Sequence, residues 1–242
     1  MAKLFVHGVP DTAHVWHHVR ERLPSADHEA LSLPGFGCPV PPGFDCSKEA
    51  YAQWLIDEIE RRETPVDLVG HDWGAFLVLR VVCLRPDLVR SWVYGSAPLD
   101  PDYRWHGSAR IWQTRVVGEL FMAITPAFAL RRAMIGGGVP AGDAAQAAAR
   151  IDRTMKAAIL KLYRSAVQVG AEWSRGVEDV RVPGLVLWGL ADPYAPPDIG
   201  RRLAEKTGVR FVGFSGCGHW WPAQAPQEVA GQLATFWSHP GS

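Results

Sequence analysis

The chain has 242 residues, of which 48% are hydrophobic and 21% are charged, a composition typical of a folded globular protein. Its 25 basic and 25 acidic residues cancel, so we expect neither a nucleic-acid partner nor a membrane partner. No run approaches the roughly 18 apolar residues of a membrane span, and the first residues lack the apolar stretch of a signal peptide. The four cysteines form no Cys-x-x-Cys pair, which favours a reduced, cytoplasmic compartment and argues against a zinc site.

The first 99 residues alternate short apolar runs with helical patterns. We predict buried strands over 3–6, 28–33, 66–70 and 91–94. Amphipathic patterns predict helices over 15–23, after Ser47 as an N-cap, and over 75–84. Strands that alternate with helices in this way favour a mostly parallel sheet with helices on both faces.

The alternation stops at Pro98, and residues 100 to about 176 show helical patterns without a strand. Within this stretch we predict helices over 111–124 and 144–169, on either side of a break at Gly136-Gly137-Gly138-Val139-Pro140. Strands are predicted again over 185–189 and 209–214, and helices over 199–206 and 226–236. We therefore predict a core domain formed by 1–99 and 177–242. Residues 100–176 are predicted to form a helical cap (lid) over the carboxyl edge of the sheet, where such sheets bind ligands.

The clearest chemical signal lies between the third predicted strand and the helix after it, in the run Gly70-His71-Asp72-Trp73-Gly74. This run has the form of a nucleophile elbow, Gly-x-nucleophile-x-Gly, in its expected strand–turn–helix setting. Small residues flank such a turn because its backbone is crowded and strained. We predict that Asp72 is the nucleophile.

Two further residues complete a candidate triad. Asp192 follows a predicted strand, and His219 lies in a Gly-rich loop after the last strand. Because all three residues follow strands of one parallel sheet, we expect Asp72, Asp192 and His219 to meet at its carboxyl edge. The order nucleophile, acid, histidine fits a hydrolytic triad. The backbone N–H groups of Val9 and Trp73 are the predicted oxyanion hole.

Together these motifs resemble the Asp-nucleophile branch of the α/β-hydrolase fold, which includes epoxide hydrolases and haloalkane dehalogenases. The resemblance rests on His7-Gly8-Val9-Pro10, on the turn Leu33-Pro34-Gly35-Phe36-Gly37, on the elbow and on the late Asp and His. It implies an α/β-hydrolase fold with a helical lid inserted after the fourth strand. Such enzymes usually carry two further strands before the strand that ends in the first motif. Because that motif begins here at residue 7, we expect a sheet of about six strands.

An aspartate nucleophile restricts the chemistry. Attack on an ester or amide would make a reactive mixed anhydride, whereas attack on a saturated carbon makes an ordinary ester. Epoxides and alkyl halides have such a carbon with a strained or good leaving group. Water activated by His219, with Asp192 orienting the imidazole, would then hydrolyse the Asp72 ester.

The leaving groups of the two electrophiles need different donors from the protein. Opening an epoxide needs a proton donor, and Tyr163 in the run Leu162-Tyr163-Arg164-Ser165 resembles the lid tyrosine of epoxide hydrolases. A departing halide needs N–H donors instead, and the Trp73 indole is available. We predict hydrolysis of an apolar epoxide to a vicinal diol, with haloalkane dehalogenation as the alternative. A ligand-binding protein that keeps the fold without catalysis is a third hypothesis.

Aromatic residues of the predicted cap and of the last loop are candidates for the substrate pocket: Tyr103, Trp105, Trp112, Phe121 and Trp220. Such a wall suits a small, hydrophobic, neutral substrate that reacts with water. No motif implies a cofactor or a metal.

Overall fold

The computed structural model describes residues 2–24 and 26–239. Six parallel strands form one sheet in the spatial order β2-β1-β3-β4-β5-β6. The strands are β1 (Lys3–Val6), β2 (His28–Leu31), β3 (Val66–His71), β4 (Val89–Gly95), β5 (Gly184–Gly189) and β6 (Arg210–Phe214). The predicted α/β-hydrolase fold and its six strands are confirmed.

The helices of the described residues follow the predicted alternation. Those of the sheet region are α1 (His17–Arg20), α2 (Lys48–Glu60), α3 (Trp73–Leu84), α10 (Pro197–Thr207), α11 (Trp221–Gln224) and α12 (Pro226–Ser238). Between β4 and β5 lie α4 (Gly107–Gln113), α5 (Val117–Ile124), α6 (Ala127–Gly137), α7 (Ala141–Ala149), α8 (Arg153–Ser165) and α9 (Val169–Trp173). We call residues 100–176, which contain α4–α9, the insertion. That it forms a separate cap domain stays a prediction.

Two long helices predicted in the insertion are each broken. The helix predicted over 111–124 is divided near Val116, whose φ of 68° is incompatible with a continuous helix. The helix predicted over 144–169 is divided at Asp152, whose carboxylate accepts the Met155 N–H at 2.8 Å and so caps a new helix. The apolar periodicity was correct, but these local breaks change the direction of the chain.

Alternate residues of each strand pack on opposite faces of the sheet, as the pleat of a strand requires. Leu4 and Leu68 join the larger hydrophobic cluster, which includes α2, α3 and much of the insertion. Phe5 and Val69 join the smaller cluster, which includes α12 and Trp221. The sheet is therefore covered on both faces, and its carboxyl edge is left for the insertion. No helix within the described residues is long and apolar enough to cross a membrane.

Candidate active site

Asp72 lies in the tight turn between β3 and α3. Its backbone has φ 51° and ψ −122°, an unfavourable conformation for a residue with a side chain. The turn also needs Gly74, because a Cβ added there would lie 2.1 Å from the Val6 carbonyl oxygen. The surrounding sheet therefore holds a strained turn that presents the Asp72 side chain at the carboxyl edge.

The two oxygens of the Asp72 carboxylate have different surroundings. Oδ1 accepts the backbone N–H of Val9 at 2.7 Å, whereas Oδ2 lies 3.5 Å from Nε2 of His219. A Cβ added to Gly8 would lie 2.3 Å from Oδ1, so only glycine lets the β1 loop approach this closely. In the described chain, Val9 is the one backbone donor to this carboxylate; no hydrogen bond from the Trp73 amide is found.

His219 links the two carboxylates. Its Nδ1–H donates to Oδ2 of Asp192 at 2.8 Å. The other oxygen of Asp192 accepts the backbone N–H groups of Tyr194 at 2.8 Å and Ala195 at 3.0 Å. All three predicted triad residues therefore meet, and the acid is held in one orientation by its own loop.

The charges of the site are strongly coupled. Burial alone would lower the pKa of His219, but the Asp192 and Asp72 carboxylates outweigh it and raise that pKa to about 10. Burial alone would raise the pKa of Asp72, but the hydrogen bond and positive charge of His219 outweigh it and lower that pKa. In the free protein the arrangement therefore favours an imidazolium between two carboxylates.

Two buried neutral histidines hold the neighbouring loops. Burial lowers the pKa of both His7 and His71 to about 4. The His7 ring donates to the Gly8 carbonyl at 2.8 Å and accepts the Leu33 N–H at 3.1 Å. The His71 ring donates to the His219 carbonyl at 2.8 Å. These contacts explain why both motifs contain a histidine beside the reactive residues.

A cavity of about 480 Å³ opens directly onto this group. Its wall combines Asp72 and His219, four further residues of the sheet region and mostly apolar side chains of the insertion: Val9, Pro10, Asp72, His106, Ser108, Trp112, Phe121, Ile124, Thr125, Pro126, Ala129, Leu130, Ala133, Met134, Ile151, Tyr163, Tyr194, His219 and Trp220. The cavity therefore suits a small molecule with little polar surface.

Tyr163 lies on α8 and is buried in the cavity wall. Its ring packs edge-on against Trp73 and Trp112, with centroids 5.5 and 4.9 Å away. Burial, and after it the charge of Asp72, raises the pKa of Tyr163 well above its usual value. The phenol is therefore neutral and carries its proton.

The structure places the other aromatic candidates in two groups. Trp112, Phe121 and Trp220 line the cavity. Tyr103 and Trp105 lie outside its wall: the Tyr103 hydroxyl donates to the Tyr194 carbonyl at 2.7 Å, and the Trp105 indole donates to the Val167 carbonyl at 3.3 Å. The Trp105 bond lies within the insertion, whereas the Tyr103 bond joins the insertion to the sheet region.

Tyr194 was not among the sequence candidates. It lines the cavity, and its ring centroid lies 5.3 Å from that of His219. The available signal was its place two residues after Asp192, in a loop at the carboxyl edge. It supplies a second phenol to the cavity wall, in addition to Tyr163.

Asp11 was also missed. It is buried at the end of the β1 loop, where its Oδ2 accepts the Trp220 indole N–H at 2.8 Å. Burial raises the pKa of Asp11 to about 7, against the opposing effect of the Trp220 hydrogen bond. This carboxyl fixes one aromatic wall of the cavity.

Two indole N–H groups lie near the cavity without a regular hydrogen bond. Those of Trp73 and Trp112 are buried and make no hydrogen bond of normal geometry within the described residues, although the Trp73 indole lies close enough to the Tyr163 hydroxyl to interact with it. A buried donor without a hydrogen-bond partner lowers the stability of the folded state, and such groups often bind a ligand or water. Among the described residues one set could hold a metal ion, namely His17, His18 and Glu21, but these side chains lie in and directly after α1 and are not part of the cavity wall.

Comparison with known proteins agrees with the α/β-hydrolase fold. The model of the "Alpha/beta hydrolase family" matches residues 4–232. The chain belongs to this family. Epoxide hydrolase A of Mycobacterium tuberculosis is 26% identical to the chain, over 96% of it and 89% of the relative. Lipase LipV of the same organism is 27% identical to the chain, over 94% of the chain and 89% of the relative. A haloalkane dehalogenase of Bradyrhizobium diazoefficiens is 35% identical, over 36% of the chain and 29% of the relative.

Proposed function

We propose that this hydrolase opens a small apolar epoxide to a vicinal diol through a covalent ester on Asp72. The observation that carries the proposal is the asymmetric Asp72 carboxylate. One oxygen is held by the Val9 N–H, while the other lies between His219 and an apolar cavity that contains a neutral phenol. Similarity to an epoxide hydrolase over 96% of the chain supports this choice.

In the first step Oδ2 of Asp72 attacks an epoxide carbon, and the carbon–oxygen bond of the ring breaks. The oxygen that leaves takes the proton of the Tyr163 hydroxyl. Formation of the ester removes the negative charge of Asp72, which had raised the pKa of His219. That pKa therefore falls, and the proton that His219 loses returns through water to the Tyr163 phenolate, so that His219 is neutral before the second step.

In the second step neutral His219 takes a proton from water, whose oxygen attacks Cγ of Asp72. The negative charge develops on Oδ1, the atom that the Val9 N–H already binds. Collapse of this intermediate releases the diol and restores the Asp72 carboxylate beside an imidazolium. Asp192 keeps the imidazole oriented throughout.

An aspartate nucleophile is poorly suited to ester hydrolysis, although one relative is a lipase. Attack of Asp72 on an ester carbonyl would give a mixed anhydride, which is far more reactive than the ester it replaced. Attack on an epoxide carbon gives an ordinary ester, which the His219 and Val9 arrangement is suited to hydrolyse.

A specific observation favours haloalkane dehalogenation as a second candidate. The Trp73 and Trp112 indole N–H groups make no hydrogen bond of normal geometry within the described residues, and two such donors could bind a departing halide. The same Asp72 ester would form, with the halide as leaving group. Partial similarity to a haloalkane dehalogenase agrees with this candidate.

Intact-protein mass spectrometry on His219→Gln separates the candidates. Without its base the variant should accumulate the Asp72 ester when it is mixed with styrene oxide and a bromoalkane. An adduct with the full mass of the epoxide supports the proposal, whereas an alkyl adduct without bromine supports dehalogenation. The double variant His219→Gln with Asp72→Asn is the control and should gain no mass. No adduct on His219→Gln, together with no turnover by the wild type, would contradict both candidates and favour a binding protein.

A further inference from the structure

The exposed apolar side chains of this protein are concentrated on one part of the insertion. Five large ones, between 49% and 76% exposed, lie within 13 consecutive residues, and we call them the apolar patch: Val116, Val117, Leu120, Ile124 and Phe128. In α5 the one charged residue is Glu119, which pairs with Arg164 at 2.7 Å. A helix that is apolar on nearly all sides is normally buried, so its outer face requires an apolar environment.

The apolar patch is continuous with the wall of the active-site cavity. Ile124 is 76% exposed and also lines the cavity, and Phe121 and Pro126 beside it are further wall residues. An apolar molecule could therefore pass from the outside of the insertion to Asp72 along a mostly apolar surface.

The net charge of zero hides an uneven distribution. The insertion carries 11 basic and six acidic residues, a net charge of +5, which leaves 14 basic and 19 acidic residues, or −5, for the rest of the chain. Arg115, Arg131 and Arg132 adjoin the apolar patch and are exposed. Among the described residues none of the three forms an ion pair.

We propose that the apolar patch docks onto an anionic lipid bilayer, with the neighbouring arginines at the lipid headgroups. Apolar side chains that enter the interface beside basic residues are the combination by which peripheral proteins hold to such surfaces. A second copy of this chain fits less well, because a symmetric contact would bring the arginines of both copies together. This inference departs from the expectation, drawn from the net charge alone, that the protein has no membrane partner.

Docking would place the cavity entrance at the hydrocarbon boundary, where apolar substrates concentrate. Delivery of substrate from the bilayer rests on the proposed epoxide chemistry, whereas the docking itself does not. The two are therefore tested separately.

Docking is tested by sedimentation with vesicles in the absence of substrate. The protein should pellet with vesicles of equal parts phosphatidylglycerol and phosphatidylcholine, more weakly with pure phosphatidylcholine, and less at high salt. The double variant Leu120→Ser with Phe128→Ser, and separately Arg131→Gln with Arg132→Gln, should bind the anionic vesicles at least about tenfold more weakly. Leu84→Ser with Val167→Ser removes two other exposed apolar side chains, outside the patch, and should bind as the wild type does.

Failure of the wild type to bind the anionic vesicles would overturn the proposal, as would equal binding by the Leu120→Ser with Phe128→Ser variant. Light scattering adds a third check: a dimer that the same variant dissociates would assign the patch to a second copy of this chain and overturn docking.

Delivery is tested by hydrolysis rates. Leu120→Ser with Phe128→Ser should hydrolyse styrene oxide dissolved in water at the wild-type rate and an epoxide dissolved in the anionic vesicles more slowly. Equal loss with both substrates would contradict delivery. Absence of epoxide turnover by every form, with vesicle binding intact, would contradict the proposed reaction and leave docking supported.

Discussion

The sheet region and the insertion contribute different features to the candidate site. In the sheet region backbone N–H groups hold one oxygen of each carboxylate: Val9 donates to Asp72, and Tyr194 and Ala195 donate to Asp192. The insertion instead contributes aromatic walls, one buried indole without a partner on Trp112, and an exposed apolar face. The difference teaches that backbone contacts of the sheet region fix the position of the proposed nucleophile, whereas side chains of the insertion form much of the cavity wall.

The largest effect on activity is expected in the sheet region, from a substitution of Asp72. Asp72→Asn should lower epoxide turnover at least ~10³-fold, because the amide cannot form the ester. Its stability should change far less, since Val9 can still donate to an amide oxygen. Steady-state rates measure the turnover and thermal unfolding measures the stability, with Asp102→Asn, at an exposed position, as the control. Wild-type turnover in Asp72→Asn would show that another residue is the nucleophile.

Tyr163→Phe tests the insertion side. Loss of the proton donor should slow epoxide opening by roughly 10² to 10⁴ while bromoalkane turnover, if present, is nearly unchanged. Tyr103→Phe is the matched control outside the cavity. It should cost about 1 kcal/mol of stability through loss of the bond to the Tyr194 carbonyl and change the rate little. If both variants slow the reaction equally, Tyr163 has no special role as acid.

Two glycines contrast the regions directly. A Cβ at Gly74 would meet the Val6 carbonyl oxygen at 2.1 Å, whereas a Cβ at Gly136 in α6 meets nothing within 4 Å. Gly74→Ala should therefore destabilise the protein by ~1–3 kcal/mol and reduce activity through displacement of Asp72. Gly136→Ala should stabilise α6 by up to ~1 kcal/mol. Chemical denaturation measures both, and destabilisation by Gly136→Ala would contradict the open surroundings seen there.

The smallest expected effect concerns Asp11, which faces Trp220, Asp72 and His219 from the sheet region and Arg150 from the insertion. Because its folded pKa of about 7 lies above the usual 3.8, the folded state binds the proton more tightly. Its contribution to stability is therefore present below about pH 4 and is lost as the pH rises to about 7. Asp11→Asn should raise the melting temperature at pH 8 and raise it less at pH 5. An equal shift at both pH values would contradict burial as the cause.

Much of the site could be predicted because each part has a local sequence signal. The elbow around Asp72 needs small residues at fixed spacing, and Asp192 and His219 each follow a recognisable strand. Parallel strands bring their carboxyl ends to one edge, so three residues distant in the chain had to meet there. The same rule placed the Val9 loop beside Asp72.

The wall of the cavity could not be predicted in the same way. Tyr103 and Tyr194 both lie near the carboxyl edge, yet the first donates to the backbone of the second and only the second faces the cavity. That choice depends on how the insertion packs on the sheet region, which no local pattern encodes. The breaks at Val116 and Asp152 likewise redirect helices whose periodicity looked continuous.

The sequence by itself determined the order of strands and helices, the strained turn at Asp72 and two of its polar partners, Val9 and His219, because these follow from local periodicity and from parallel-sheet geometry. Only the tertiary structure decided which aromatic side chains surround the substrate, which oxygen of Asp72 is held by Val9 and which face of α5 is exposed. Those features arise from contacts between segments far apart in the chain, where side-chain direction is set by packing.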